Sequence, residues 1–119
     1  MPDAQSLIFK VATARNFETA RSDAGYLGMP VDDADGYMHF STAAQLHETI
    51  RRYFSGQPDL VLLGVDARAV AGNLRWEKSR GGDLFPHLYA PLPLAAIIHS
   101  APLSVGADGA ATLPDWAKA

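Results

Sequence analysis

The fold is decided by the stretch at residues 37–45, which reads YMHFSTAAQ. Its first four residues alternate as a short strand does, and the residues that follow begin a helix. Thr42 and Gln45 form a capping box, with Thr42 as the N-cap and Gln45 three residues later. An apolar face then continues through Leu46 and Ile50 toward Gly56. The sequence therefore predicts a strand that leads directly into an amphipathic helix.

Before this stretch, the sequence predicts one strand, one helix and a loop. The run at 7–12, LIFKVA, is apolar and β-rich and predicts the first strand. Residues 13–22 show helical spacing and predict a helix that Thr13 or Asn16 could cap. Residues 25–36 combine glycine, proline and aspartate, a composition that predicts a surface loop.

After it, the sequence predicts mainly strands. The continuous apolar run at 60–65, LVLLGV, predicts a strand at the centre of a sheet. Residues 74–77 and 96–99 predict further strands, and residues 85–89 follow a flexible loop at 79–83. Because the connections are too short and uneven for parallel crossovers, we expect an α+β fold, as a single domain over residues 1–119.

Composition excludes several classes of protein. The chain of 119 residues has no cysteine, which excludes disulfide scaffolds, thiolate zinc sites, iron–sulfur clusters and a cysteine nucleophile. Its net charge of −3 predicts no tight nonspecific binding to nucleic acid, which leaves nucleic acid only as a specific acceptor. The sequence contains neither an apolar run long enough to span a bilayer nor a signal peptide, so we expect a cytoplasmic protein with no membrane partner.

The spacing of the four histidines does not indicate a metal site. Zinc and iron ligands usually occur as histidine pairs at i and i+4 on a helix or as His-x-His, and neither pattern is present. Phosphate-binding glycine loops and the hydrolase Gly-x-Ser-x-Gly motif are also absent from the sequence. We expect no bound metal and no required cofactor.

Two groups of residues could form a site, and the first lies where the predicted strand meets the helix. His39, Ser41 and Thr42 stand beside a helix N-terminus, whose free N–H groups suit a phosphate or a ribose hydroxyl. In the alternative interpretation Thr42 only caps the helix, Ser41 caps or turns, and His39 packs into the sheet.

The second group lies in residues 76–89 and combines an acid, a base, a cation and aromatic rings. Its candidate residues are Trp76, Glu77, Arg80, Phe85, His87 and Tyr89. Such a mixture could line a pocket. Alternatively, Glu77 pairs with a neighbouring cation in solvent, while the aromatic rings belong to the core.

The chain resembles the bacterial family called domain of unknown function 952. The resemblance covers residues 7–103, which leaves residues 104–119 as a C-terminal tail, and its most specific motifs are HFST at 39–42 and FPHLY at 85–89. More remotely, the sequences at 38–41 and 62–66 resemble two motif strands of the RNA 2′-phosphotransferases, within the ADP-ribosyltransferase superfamily. This second resemblance implies split antiparallel β-sheets with two main helices and an NAD-binding cleft between the sheets.

The same resemblance implies roles for individual residues. His39 and Ser41 would face the cleft and orient ribose or phosphate, and Lys10 occupies the position nearest a motif histidine of the relatives. Glu77 would stabilise the oxocarbenium-like state as the nicotinamide bond breaks. Arg80 would neutralise the diphosphate of NAD, and Tyr89 or Trp76 would stack on nicotinamide. NAD would then be a substrate that donates ADP-ribose, whereas a noncatalytic ligand-binding or protein-interaction domain is the alternative.

Overall fold

The computed structural model describes residues 7–21 and 23–119, apart from the side chain of Arg80. The strands in chain order are β1 (Leu7–Thr13), β2 (Met38–His39), β3 (Leu60–Asp66), β4 (Leu74–Ser79), β5 (Asp83–Leu88) and β6 (Ile97–Leu103). The α-helices are α1 (Ala14–Phe17), α2 (Pro30–Asp35) and α3 (Ala43–Tyr53). Short 3-10 turns cover Ala67–Asn73, Arg80–Gly82, Leu94–Ala96 and Asp115–Ala117.

The strands form two antiparallel sheets of three strands each. The first sheet has the order β1-β3-β6 and the second has the order β2-β5-β4. The prediction that residues 60–65 form a central strand is confirmed, because β3 pairs with β1 on one side and with β6 on the other. The α+β class is confirmed in the same way, since all the strand pairs within both sheets are antiparallel.

One backbone bridge joins the edge of the first sheet to the chain beside the second sheet. Phe9 of β1 and Ser41, just after β2, each donate a backbone N–H to the other's carbonyl oxygen at 2.8 Å. Beyond Phe9, the outer edge of β1 runs along a space that separates it from the second sheet. The candidate site lies in this space, between β1 and the second sheet.

The first sheet is covered on both of its faces, which explains the apolar composition of β3. One face packs Ile8, Leu63 and Val65 against residues of the second sheet such as Met38 and Leu88. The other face packs Phe9, Leu62 and Leu103 against Leu46 and Ile50 of α3. Side chains alternate along a strand, so Lys10 of β1 points to the same face as Ile8, between the two sheets.

The predicted length of the first helix, residues 13–22, is wrong. Thr13 does cap it, by accepting a hydrogen bond from the N–H of Asn16 at 3.1 Å, but α1 ends at Phe17. The hydroxyl of Thr19 donates to the carbonyl of Asn16 at 2.7 Å and so competes with continued helical bonding. Ser22, the last residue of the prediction, lies outside the described residues.

The loop predicted over residues 25–36 contains a helix that the prediction missed. Pro30 occupies the first turn of α2, and Gly36 ends the helix with a φ of 84°. Proline suits the first helical position because that position needs no N–H donor, and glycine adopts the left-handed conformation without a steric penalty. The same residues that indicated a loop therefore begin and end a short helix.

The start of α3 agrees with its prediction. Thr42 accepts from the N–H of Gln45 at 3.3 Å, and the Gln45 side chain accepts from the N–H of Thr42 at 3.0 Å. Gln45 also donates through Nε2 to the carbonyl of Leu84 at 2.7 Å, which links α3 to β5. The capping box therefore joins the helix to the second sheet as well as starting it.

The C-terminal segment packs across the first sheet. Trp116 stacks on His99 of β6 with ring centroids 4.9 Å apart and lies 6.3 Å from the ring of Phe9. A Cβ atom on Gly64 of β3 would lie 3.2 Å from the indole, so the glycine permits this close approach. Among the helices of residues 7–21 and 23–119, none has the length and apolar character that crossing a membrane requires.

Candidate functional site

A cavity of about 500 Å³ lies beside the outer edge of β1, where the two sheets separate. Its apolar wall comes mainly from β1, α3 and β5 and includes Phe9, Val11, Leu46, Phe54 and Phe85. Its polar lining comes from β1, α2, β2, the segment just after β2, and β5, and it includes Lys10, Asp32, Asp35, His39, Ser41 and His87. The cavity therefore offers an apolar surface and a set of charged groups to one ligand.

Lys10 and Asp32 form a buried ion pair in this polar lining. Lys10 Nζ lies 2.8 Å from Asp32 Oδ2 and donates to the carbonyl oxygen of His39 at 3.0 Å. Only 4% of Lys10 and 3% of Asp32 are exposed. Burial lowers the pKa of Lys10, although the charge of Asp32 partly offsets this effect. The pair joins β1 to α2 and β2.

Asp32 is held by more hydrogen bonds than any other side chain that we describe at the site. Its Oδ2 also accepts from the N–H of Met29 at 2.6 Å, and its Oδ1 accepts from the N–H of His39 at 2.9 Å. Burial acts to raise the pKa of Asp32, but the hydrogen bond with the His39 ring and the charge of Lys10 outweigh it and lower the pKa to about 2. Asp32 is therefore ionised and holds both Lys10 and His39 in place.

His39 lies between two carboxylates. Its Nδ1 is 2.6 Å from Asp32 Oδ1, and its Nε2 is 2.9 Å from Asp35 Oδ2. Both ring nitrogens can donate at once only when the imidazole is protonated. The ring orientation is therefore defined on both sides, and the ring lines the cavity.

His87 of β5 lies opposite His39 of β2 in the strand register, and its ring contacts a carboxylate of its own. The two imidazole centroids are 5.6 Å apart. His87 Nδ1 lies 2.9 Å from Glu77 Oε1, and the Tyr89 hydroxyl donates to the same oxygen at 2.6 Å. The hydrogen bond from Tyr89, followed by the one from His87, lowers the pKa of Glu77. Glu77 and Tyr89 thus contact the cavity-lining His87.

Tyr37 covers the histidine pair. Its ring stacks on His87 at a centroid distance of 4.2 Å and lies 4.8 Å from His39 and 5.3 Å from Tyr89. Burial, and then the charges of Asp35 and Glu77, raise the pKa of the Tyr37 hydroxyl. Tyr37 also lines the cavity, so it shields His87 on one side while it faces the open space.

The structure brings together most of the residues that the sequence predicted for a site. Five of them line the cavity: Lys10, His39, Ser41, Phe85 and His87. Ser41 is buried, and its hydroxyl lies 2.7 Å from that of Thr49. Glu77 and Tyr89 join the group through His87, whereas Thr42 serves as the N-cap of α3.

Two predicted site residues remain, Trp76 and Arg80. Trp76 is 46% exposed and adjoins Glu77 in β4, where neighbouring side chains point to opposite faces. Its expected role of stacking on nicotinamide stays a prediction. The side chain of Arg80 lies outside the described part of the chain, so its predicted contact with a diphosphate stays a prediction.

Three site residues were missed by sequence reasoning: Asp32, Asp35 and Tyr37. The two aspartates fell inside the segment predicted as a loop, where carboxylates are usually solvated. The Pro30 and Gly36 boundaries could have revealed a helix, and its spacing places Asp32 and Asp35 three residues apart on one face. Among the described residues, no group of three or more acidic or histidine side chains has a geometry suited to a metal ion.

The fold and the cavity define a small α+β protein with two separate antiparallel sheets. Residues 11–100 match the family described as Protein of unknown function (DUF952), and the chain belongs to that family. No curated protein shows significant similarity to it.

Solved structures of one relative are similar over nearly the whole chain. The crystal structure of protein CC0527 from Caulobacter crescentus is 40% identical, with a TM-score of 0.85, and the match covers 93% of this chain and 97% of that one. The solution NMR structure of CC0527 is 41% identical, with a TM-score of 0.75, over 87% of this chain and 90% of that one. The two-sheet fold is therefore similar to experimental structures.

Proposed function

We propose that the chain binds a nucleotide of the NAD or ADP-ribose type in its cavity and cleaves or transfers ADP-ribose. The observation that carries this proposal is the pairing of His39 and His87 at the cavity, with Glu77 bonded to His87. The resemblance of residues 38–41 and 62–66 to motif strands of the RNA 2′-phosphotransferases supports it, as does the separation of two antiparallel sheets.

The dimensions and lining of the cavity suit such a ligand. Small-molecule sites usually have volumes of about 300–1,000 Å³ and combine apolar walls with a few polar groups. The volume of about 500 Å³ falls within this range. Phe9, Leu46 and Phe54 would pack against an aromatic base, and the charged groups around His39 would bind ribose.

The exposed edge of β1 adds backbone groups that could bind an amide. The N–H of Phe9 donates to Ser41 and not to β3, and Val11, two residues further along β1, has the same backbone orientation. Val11 also lines the cavity. Its N–H and carbonyl would pair with a carboxamide such as that of nicotinamide, which carries both an acceptor and a donor.

The acidic groups near the histidines suit the charge that develops during cleavage. When the bond between nicotinamide nitrogen and ribose C1 breaks, the electron pair leaves with nicotinamide and positive charge develops on the ribose ring. An oxygen of water or of another acceptor then attacks C1 and loses its proton. Glu77, with its lowered pKa, supplies negative charge behind His87 and thereby stabilises this oxocarbenium-like state.

The test combines binding and turnover. We expect NAD to bind to the wild-type protein in calorimetric titration and free nicotinamide to accumulate, as detected by chromatography. Glu77→Gln keeps an oxygen that can accept from Tyr89 and His87 but removes the charge, so it should retain stability and release nicotinamide at least tenfold more slowly. Glu18→Gln is the matched control, because it makes the same change at an exposed glutamate after α1. Equal rates in the two variants would contradict the role of Glu77.

A noncatalytic binding domain is the second candidate, and the pairing of the polar groups favours it. Lys10, Asp32 and His39 satisfy one another with short contacts, which is typical of a site organised for structure and binding. Under this alternative NAD or ADP-ribose would bind at the cavity without any release of nicotinamide. Turnover measured on a sample with demonstrated binding separates the two candidates.

A further inference from the structure

Asp35 and His39 present an unusual pair of groups to the cavity. His39 Nε2 lies 2.9 Å from Asp35 Oδ2, and both residues line the cavity. The other ring nitrogen, Nδ1, is held by Asp32, so Nε2 is the nitrogen that a ligand can reach. Because 35% of the His39 side chain and 46% of the Asp35 side chain are exposed, a ligand atom can approach the contact.

The position of Asp35 is fixed by the buried part of α2. Asp32, on the same helix, accepts from the backbone N–H groups of Met29 and His39 and pairs with Lys10. These bonds attach α2 to β2 and β1 and so hold the backbone of Asp35 beside the imidazole, which its carboxylate contacts at 2.9 Å. A rigid pair of this kind can select a ligand by its hydrogen-bonding pattern.

The charges around the pair oppose a phosphate. Among the described residues that line the cavity, Lys10 is the one lysine or arginine, and it is already engaged with Asp32 at 2.8 Å and with the carbonyl of His39 at 3.0 Å. A diphosphate oxygen at His39 Nε2 would lie against the Asp35 carboxylate, and both groups would be negatively charged acceptors. A hydroxyl there can accept from Nε2 and donate to Asp35.

We propose that Asp35 is a specificity-determining residue, which together with His39 binds a sugar hydroxyl of the ligand and excludes phosphate from this end of the cavity. This inference rests on the proposed function and narrows it, because it assigns the ribose, and not the diphosphate, to His39. On binding, the hydroxyl inserts between His39 Nε2 and Asp35 Oδ2 and replaces their direct contact.

The experiment compares wild type, Asp35→Asn and Asp33→Asn with two probes, NAD and inorganic phosphate. Asp33 is an exposed aspartate of the same helix, so its variant is matched in charge. Affinity is measured by calorimetry, and the imidazole signals of His39 are followed by NMR. We expect Asp35→Asn to bind NAD about tenfold more weakly, because a charge-assisted hydrogen bond to the ligand is lost. We also expect phosphate to shift the His39 signals in this variant alone.

The possible failures are distinguishable. If Asp35→Asn and Asp33→Asn behave alike with both probes, the role of Asp35 is overturned, while NAD binding by the wild type would preserve the proposed function. If the wild type does not bind NAD, the proposed function and the sugar-hydroxyl part of the inference are both overturned, and the phosphate titration then decides only whether Asp35 excludes phosphate from His39. A saturable shift of the His39 signals by phosphate in the wild type would overturn the exclusion of phosphate by Asp35. A shift confined to Asp35→Asn would support that exclusion.

Discussion

At the scale of single residues, Asp32 organises the polar end of the cavity from within the protein. It receives hydrogen bonds from three backbone or side-chain donors besides Lys10, and these donors come from Met29 and His39. A buried carboxylate is tolerated when charge and hydrogen bonds offset its desolvation. The ion pair and the orientation of His39 therefore depend on the same side chain.

We expect Asp32→Asn to lower the free energy of unfolding by about 3 kcal/mol, because it leaves the buried ammonium of Lys10 without a counter-charge. Urea denaturation followed by circular dichroism measures the loss. Asp33→Asn, which removes an exposed carboxylate from the same helix, should change the stability by less than about 0.5 kcal/mol. Similar stabilities for the two variants would show that the ion pair contributes little.

The lowered pKa of Asp32 also predicts acid sensitivity. A carboxyl whose pKa is lower in the folded than in the unfolded chain stabilises the fold above its unfolded pKa, and this stabilisation is lost as the pH falls toward the folded value. With a folded pKa of about 2, Asp32 should contribute about 2 kcal/mol at neutral pH and lose about half of it by about pH 3. Denaturation at about pH 6 and about pH 3 should therefore show a smaller pH effect in Asp32→Asn than in wild type. Equal pH effects would contradict the assignment.

At the scale of elements, α3 connects the two sheets around the site. Its inner face packs Leu46 and Ile50 on the first sheet, and its first turn bonds to β5 through Gln45. The bridge between Phe9 and Ser41 joins β1 to the segment between β2 and α3. The start of α3 therefore lies at the point where both sheets meet.

We expect Thr42→Ala to lower the free energy of unfolding by about 1 kcal/mol, because the first turn of α3 loses the hydroxyl that accepts from Gln45. Thermal and urea denaturation measure the change. Thr42→Ser retains the hydroxyl and is the control that should stay close to wild type. If the serine and alanine variants are equally destabilised, the methyl group of Thr42 and not its hydroxyl would be responsible.

At the scale of the whole molecule, the C-terminal segment covers the face of the first sheet that also packs against α3. Trp116 lies between Phe9 and His99 and over Gly64, and Leu113 and Ala117 are buried with it. A segment from the end of the chain therefore completes a core that begins with β1. Such contacts between distant parts of the sequence are expected to form late and to slow folding.

We expect Trp116→Ala to lower the free energy of unfolding by about 2–3 kcal/mol, because a large ring is lost from the packing over Gly64 and Phe9. Trp76→Ala removes the same ring from a side chain that is 46% exposed, and should cost less than about 1 kcal/mol. Urea denaturation of both variants tests the difference. An equal or larger loss in Trp76→Ala would contradict the packing argument.

Local patterns of the sequence determined most of the secondary structure. The apolar run of β3, the alternation around His39 and the capping box of α3 each depend on neighbouring residues, so they could be recognised without tertiary contacts. Helix α1 was predicted too long and α2 was missed, because side chains of threonine and aspartate compete with or complete backbone hydrogen bonds. Whether such a side chain extends or ends a helix depends on which backbone N–H or carbonyl group it can reach.

The sequence by itself indicated part of the site, since His39, Glu77 and His87 were predicted from their chemistry and from the family resemblance, whereas the two aspartates of α2 were not. Only the tertiary structure decided how they are paired. Residue 10 is distant in sequence from residues 32 and 39, and the ion pair and hydrogen bonds among the three form because β1, α2 and β2 pack together. Burial between the sheets then makes these pairings strong, because a charge removed from water must find its partner inside the protein.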